Sequence, residues 1–205
     1  MGMHLRSAAK TVTFWIATVL VTPLLLSYAL RRPLIGRDRA FEASSQTLSL
    51  VPGLIGQYLR RAFYARVLAR CHRSVTIEFG VLLSKVDARL DEQVYVGPRS
   101  HLGLVHLERD VLIGPGVQIP SGGATHGTDD VSKPIRDQPG QQVEVRIGAG
   151  SWIGAGAVIL ADVGCNSVVG AGAVVTRPVP DDVVAAGVPA IVVRVRSSAA
   201  TDGHE

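Results

Sequence analysis

Between residues 90 and 175 aliphatic side chains recur at an interval that neither a helix nor an extended strand produces. Leu90, Val96, Leu102, Leu107, Ile113 and Ile119 follow at steps of 6, 6, 5, 6 and 6 residues. After a gap, Ile147, Ile153, Ile159, Val163, Val169 and Val175 follow at steps of 6, 6, 4, 6 and 6. A helix repeats every 3.6 residues and a strand every two. A period of six is met by a prism, in which short strands alternate with tight corners and three strands close one coil of about eighteen residues. Each aliphatic then points inward and stacks on its counterpart one coil away, about 4.8 Å along the axis. Such coils bury nothing singly; stacking makes the core. The next residue in the first run is mostly small or acidic: Asp91, Gly97, Gly103, Glu108, Gly114, then Pro120. Glycine there is expected to give the backbone freedom of a corner, with Ala157, Ser167 and Ala173 filling the space beside it. Before Leu90, "VTIEFGVLLSK" from Val75 reads as a less regular first coil. Aromatics are 5% of the chain, which agrees with a core of small and branched aliphatics.

The repeat stops after Ile119 and resumes at Ile147. The interruption, residues 125–144, is polar, contains Pro134 and Pro139, and opens with Thr125-His126-Gly127. Flat prism faces offer no cleft, whereas a loop thrown out from a corner makes one against a neighbouring surface.

The stretches "IGAGSWIGAGAVIL", "VVGAGAVVTRPVP" and "AAGVPAIVVR" resemble the hexapeptide-repeat acetyltransferases, in particular the branch of maltose, galactoside, xenobiotic and polysaccharide O-acetyltransferases. The resemblance covers about residues 75–196. It implies an all-β solenoid, a left-handed parallel β-helix, assembled as a homotrimer with active sites between adjacent prisms. It also implies acetyl-CoA as co-substrate and no metal. A catalytic histidine stands on such a loop in the family, and His126 occupies the matching position. An imidazole suits the task, because a hydroxyl attacks a thioester poorly unless a base takes its proton, a contribution of roughly 10²–10⁴-fold. Asp129, Asp130 or Asp137 would orient the ring or hold the acceptor, and the sequence does not choose among them. On the donor side, Ala155 and Ala171 match small-residue corners along the pantetheine arm, with Trp152 beside the groove. Thr176 and Arg177 match a Thr-Lys pair that reaches the nucleotide, and Arg194 a C-terminal basic residue. Ile191 departs from the pattern, standing where relatives often carry a second basic residue. His101 and His106, five apart, resemble part of the zinc site of the γ-class carbonic anhydrases. The third histidine of that site is missing: Ala65 stands near its place. His4, His72 and His204 read as solvated or structural.

The first third differs in kind. Residues 1–73 hold eleven Lys or Arg against Asp38 and Glu42, a net +9, and the remainder is −5, which restores the overall +4. Residues 11–30, "TVTFWIATVLVTPLLLSYAL", carry no charge. As a helix they reach about 30 Å, the hydrocarbon thickness. Trp15 and Tyr28 near its ends suit the interface, and Arg31, Arg32, Arg37 and Arg39 beyond it place the C-terminal side in the cytoplasm. Pro23 weakens a straight span. A cleaved signal ending near Ala29 and a buried soluble helix are the rivals to membrane attachment. Residues 1–40 thus read as an α-helical, membrane-associated anchor with basic flanks, and residues 41–74 as a basic interfacial or capping helix. Within the latter, 54–70 is helical with Ile55, Leu59, Phe63 and Val67 on one stripe. Residues 197–205 read as a disordered tail.

Cys71 and Cys165 do not make a disulfide framework. No zinc-finger spacing or aromatic-studded basic strand points to nucleic acid. The expectation is a membrane-associated O-acyltransferase acting on a hydroxyl of a sugar or surface-polysaccharide precursor. Serine O-acetylation, N-acylation of an amino sugar and a non-catalytic β-helix scaffold are the alternatives.

Overall fold

Short strands, most of two or three residues, joined by tight corners, wind residues 70–187 into a three-sided parallel β-solenoid of about six coils. A computed structural model describes residues 2–196, with side chains from Thr13 onward. The segment 197–205, expected to be disordered, lies outside the described residues, as does His204.

Face A consists of β1 (Arg70–Cys71), β4 (Arg89–Leu90), β7 (Val105–Leu107) and β10 (Val145–Ile147). Face B consists of β2 (Thr76–Ile77), β5 (Tyr95–Val96), β8 (Leu112–Ile113), β11 (Trp152–Ile153), β13 (Val168–Val169) and β15 (Val183–Gly187), closed by the antiparallel β16 (Ala190–Val195). Face C consists of β3 (Leu82–Leu83), β6 (His101–Leu102), β9 (Gln118–Ile119), β12 (Val158–Ile159) and β14 (Val174–Val175). All twelve registered aliphatics are buried. They stack in columns: Leu90, Leu107, Ile147 and Val163 on face A, Val96, Ile113, Ile153 and Val169 on face B. The interruption does not disturb this, because β7 pairs with β10 residue for residue.

The glycine after each aliphatic has a different role from the one expected. Gly154 has no left-handed φ; a Cβ there would lie 2.5 Å from the amide nitrogen of Ala171 in the next coil. Close stacking, not corner flexibility, requires glycine at that position. The left-handed residue comes two places later, as at Gly156 (φ +67°), where a Cβ would meet nothing within 4 Å. Gln93, Arg99, Asp110, Asn166 and Asp182 occupy equivalent corners with φ between 52° and 61°. Asn and Asp tolerate this region better than most residues.

The first coil starts earlier than expected, at Arg70, and is capped by three helices: α1 (Gly2–Ile35), α2 (Arg37–Ser49) and α3 (Gly53–Val67). Helix α3 therefore stops at Val67, short of Arg70, and α2 precedes it. Its buried face is also not the stripe through Ile55, which is exposed; it carries Gly56, Arg60, Phe63 and Tyr64. Phe63 stacks on Phe41 at 6.3 Å, and Tyr64 meets Phe41 edge-on at 5.7 Å. The Tyr64 hydroxyl lies 2.9 Å from Ser45 Oγ, and burial pushes its pKa up to about 12. Arg60 is fully buried and donates to three carbonyls, those of Ile77 (3.0 Å), Leu48 (3.0 Å) and Val51 (2.8 Å). One guanidinium thus ties the end of α2 and the turn after it to the first coil.

Helix α1 runs unbroken through Pro23. Its inner side packs on the cap through Ala17 and Val21, with Phe14, Leu24, Leu25 and Tyr28 partly buried. Tyr28 turns inward onto Phe63, with ring centres 6.3 Å apart, so only Trp15 of the two expected interface aromatics faces outward.

Candidate functional site

The projecting loop leaves face C after Ile119 and rejoins face A at Val145, so it stands on the edge between those faces. Its base is clasped like a hairpin. Gln141 N–H donates to Ala124 C=O at 2.7 Å and Val143 N–H to Ser121 C=O at 2.9 Å. The two arms touch so closely that a Cβ on Gly140 would lie 2.1 Å from the Thr125 carbonyl oxygen. The outer part is held by Gln138, the buried polar side chain of the loop tip. Its Nε2 donates to the carbonyls of Asp130 (2.7 Å) and Lys133 (3.0 Å), and its Oε1 accepts from Asp130 N–H (3.1 Å). The Asp130 carboxylate accepts from the amide and hydroxyl of Ser132 and pairs with Lys133 at 2.9 Å. The Ser132 and Lys133 bonds hold its carboxyl below the usual carboxylate range. That carboxylate is committed to the loop's own shape.

His126 sits on the clasped arm, exposed, with no hydrogen bond or ion pair to another described residue. Asp129 is exposed as well, and Asp137 lies in a 3₁₀ turn beside Arg136. None of the three acids is bonded to the imidazole. Among the described residues, neither nitrogen of this imidazole has a partner.

The remaining candidates divide between two edges. Thr176 and Arg177 are exposed at the same C–A edge, after β14. That is two coils beyond the loop, about 10 Å along the axis. Ala155 and Ala171 are exposed at the B–C edge in successive coils, joined by the bond from Gly172 N–H to Ala155 C=O at 2.8 Å. Trp152 stands outward on face B between Leu112 and Val168. Arg194 lies on β16 opposite Val184, exposed, and Ile191 is exposed opposite Ala186. One face of the prism therefore separates His126 and Arg177 from Ala155 and Ala171 within a single chain. Two clefts among the described residues lie away from these edges. One of about 490 Å³ lies among Tyr28, Arg32, Arg37, Val67 and Val86; another of about 330 Å³ lies beside Asp91 and Glu108.

Sequence reasoning did not single out the polar ladder on face A. Arg70 pairs with Asp91 at 2.7 Å, Arg89 with Glu144 at 2.6 Å, and Arg146 with Glu108 at 2.6 Å. His106 Nε2 lies 3.0 Å from Asp91 Oδ2, while His101 stands on face C, so the two histidines point from different faces. The outward position of each strand alternates with the core aliphatic, and that alternation was the signal that would have gathered these residues.

Among solved structures, a maltose O-acetyltransferase from Clostridium difficile 630 matches with a TM-score of 0.66 at 19% identity, over 78% of this chain and 89% of its own. A hexapeptide-repeat-containing acetyltransferase from Vibrio cholerae matches with a TM-score of 0.64 at 20% identity, over 80% and 96%. The fold is that of the hexapeptide-repeat acetyltransferases. Galactoside acetyltransferase, in complex with coenzyme A, shares this hexapeptide-repeat fold with a TM-score of 0.59 at 23% identity, over 82% and 90%. No protein-family model and no curated protein matches the chain.

Proposed function

We propose that the chain is an acetyl-CoA-dependent O-acyltransferase that modifies a hydroxyl of a sugar or surface-polysaccharide precursor, with His126 as general base. The observation that carries this reading is the clasped loop, which presents an unengaged imidazole on the edge that also bears Thr176 and Arg177. The presence of coenzyme A in galactoside acetyltransferase, which shares the fold, supports the donor. Because Ala155 and Ala171 lie on another edge, the groove is completed by a second copy, as in a homotrimer. There the C–A edge of one prism meets the B–C edge of its neighbour.

In the reaction the imidazole accepts the proton of the acceptor hydroxyl as that oxygen attacks the thioester carbonyl. The tetrahedral intermediate collapses with cleavage of the C–S bond, and the imidazolium returns the proton to the departing thiolate. Arg177 and Arg194 bind the phosphates of the nucleotide end, where guanidinium serves as well as ammonium. Holding both substrates in one groove adds the orientational advantage of a unimolecular step. The chain attaches to the membrane through residues 11–30, with the prism on the cytoplasmic side where CoA thioesters occur.

The test is His126→Ala, assayed with acetyl-CoA and a panel of sugar acceptors. Turnover is expected to fall by roughly 10²–10⁴-fold, with trimer size and CoA affinity unchanged. Equal thioester consumption by the variant would remove His126 from the mechanism.

A further inference from the structure

From Thr13 to Leu30 helix α1 carries no charged residue on any side, yet among the described residues only one side packs on the cap. Within its 23-residue stretch Thr13–Ile35, the most apolar 18 residues have a mean hydropathy of 1.8 and are 11% buried. On the outer side Trp15, Val19, Leu20, Leu26, Leu30 and Leu34 are each more than 60% exposed, and no charged residue lies between Trp15 and Leu30. A helix that is hydrophobic all round belongs in a core or in lipid. Length does not decide how it meets lipid, since 23 residues reach about 35 Å.

Packing decides it. The inner side of α1 is covered by the cap from one end of the stretch to the other. Phe14 lies under the Arg61 and Arg66 guanidinium groups, at 5.9 and 5.6 Å from the ring centre. Arg66 also donates to Thr18 Oγ1 at 2.9 Å. Towards the other end Tyr28 packs on Phe63, and Arg31 donates to Ser44 Oγ at 2.9 Å. To cross a bilayer, α1 would have to draw α3 with its arginines into hydrocarbon or peel away from its core contacts. Arginine at the bilayer centre is strongly disfavoured. A helix lying in the plane of the surface avoids both, with its outer side sunk about 5–10 Å into the headgroup and acyl boundary.

We infer that α1 docks the cap flat onto an anionic lipid surface without crossing it, through the side that bears Trp15, Leu20, Leu26 and Leu30. This rests on the membrane attachment proposed above but not on the acyl-transfer chemistry. Exposed Arg66 stands beside one end of this side, and exposed Arg32 and Arg39 follow the other, within a segment of net charge +9. Negative headgroups complement that rim. A second copy seated on the same side would set arginine against arginine.

The full chain is expected to float with vesicles of equal phosphatidylglycerol and phosphatidylcholine, less with phosphatidylcholine alone, and less again as salt rises. Leu20→Glu with Leu26→Glu, both at exposed positions, should weaken this by at least about tenfold and leave thermal stability unchanged. For sidedness, Ser7→Cys and Gln142→Cys are made in a Cys165→Ser background. Sealed membrane vesicles of one orientation are then treated with an impermeant maleimide. Labelling of both sites from the same side supports the in-plane helix; labelling from opposite sides overturns it. Flotation unaffected by the glutamates, with a change in oligomer size instead, would overturn it in favour of a second copy. Normal flotation without turnover would count against the enzymatic reading alone.

Discussion

Two glycines two residues apart, Gly154 and Gly156, separate two physical requirements that sequence cannot tell apart. At Gly154 a methyl group would press on the next coil, 2.5 Å from Ala171 N and 2.8 Å from the Gly170 carbonyl carbon. These are backbone atoms held in a ladder, so the coils must part. Overpacking of this kind costs about 1–3 kcal/mol, occasionally more. At Gly156 there is open space, and the penalty is the left-handed backbone, about 1–2 kcal/mol for an L-residue. The less flexible unfolded chain returns about 0.4–1 kcal/mol at either position. Gly156→Ala should therefore cost less than Gly154→Ala. Asparagine widens the difference, since it tolerates the left-handed region but is bulkier. Gly156→Asn is expected near neutrality and Gly154→Asn to be the most damaging of the four. In a chain of this size about 2–4 °C accompanies each kcal/mol. Thermal melts followed by circular dichroism thus resolve a gap of several degrees. Equal shifts for Gly154→Ala and Gly156→Asn would refute the assignment of the two roles.

Arg60→Leu would strand the carbonyls of Ile77, Leu48 and Val51, and a loss of about 3–5 kcal/mol is expected in denaturant unfolding, with Arg60→Lys recovering only part. Replacing residues 122–143 by a short linker should abolish acyl transfer while moving the melting temperature little, because β7 and β10 pair independently of the loop. The Arg146 contact holds the Glu108 carboxyl below its ordinary range. Its stabilising contribution is thus complete above the unfolded value of about 4.3 and is lost as pH falls through the lower folded one. The deficit in melting temperature of Glu108→Gln relative to the parent should accordingly shrink on acidification below about pH 4.

The solenoid was legible because each inward position demands the same thing, a medium aliphatic in contact with its neighbours one coil away. Ile113, Ile153 and Val169 obey that demand, and all are buried. The corners were misread because a glycine needed for proximity and one needed for φ look alike as letters, and because Gln93 and Arg99 take left-handed corners without advertising it. The cap was half legible. An arginine is normally assigned to solvent, so the reading of α3 followed the aliphatic stripe through Ile55, which is exposed, and passed over the buried Arg60. At the site, His126 was marked by the break in period, whereas the engagement of Asp130 with Ser132 and Lys133 depends on how the loop folds back on itself. The division of candidates between two edges follows from counting corners, and was open to anyone who carried the register through the gap.

That the register passes through the gap unaltered has a consequence for how such a chain changes over generations. Columns of Leu107 over Ile147 and Ile113 over Ile153 are indifferent to what is strung between them. One outlying segment can be rewritten while mutational load on the scaffold stays where it was. Inheritance of shape and variation of the projecting surface are thereby uncoupled along a single polypeptide.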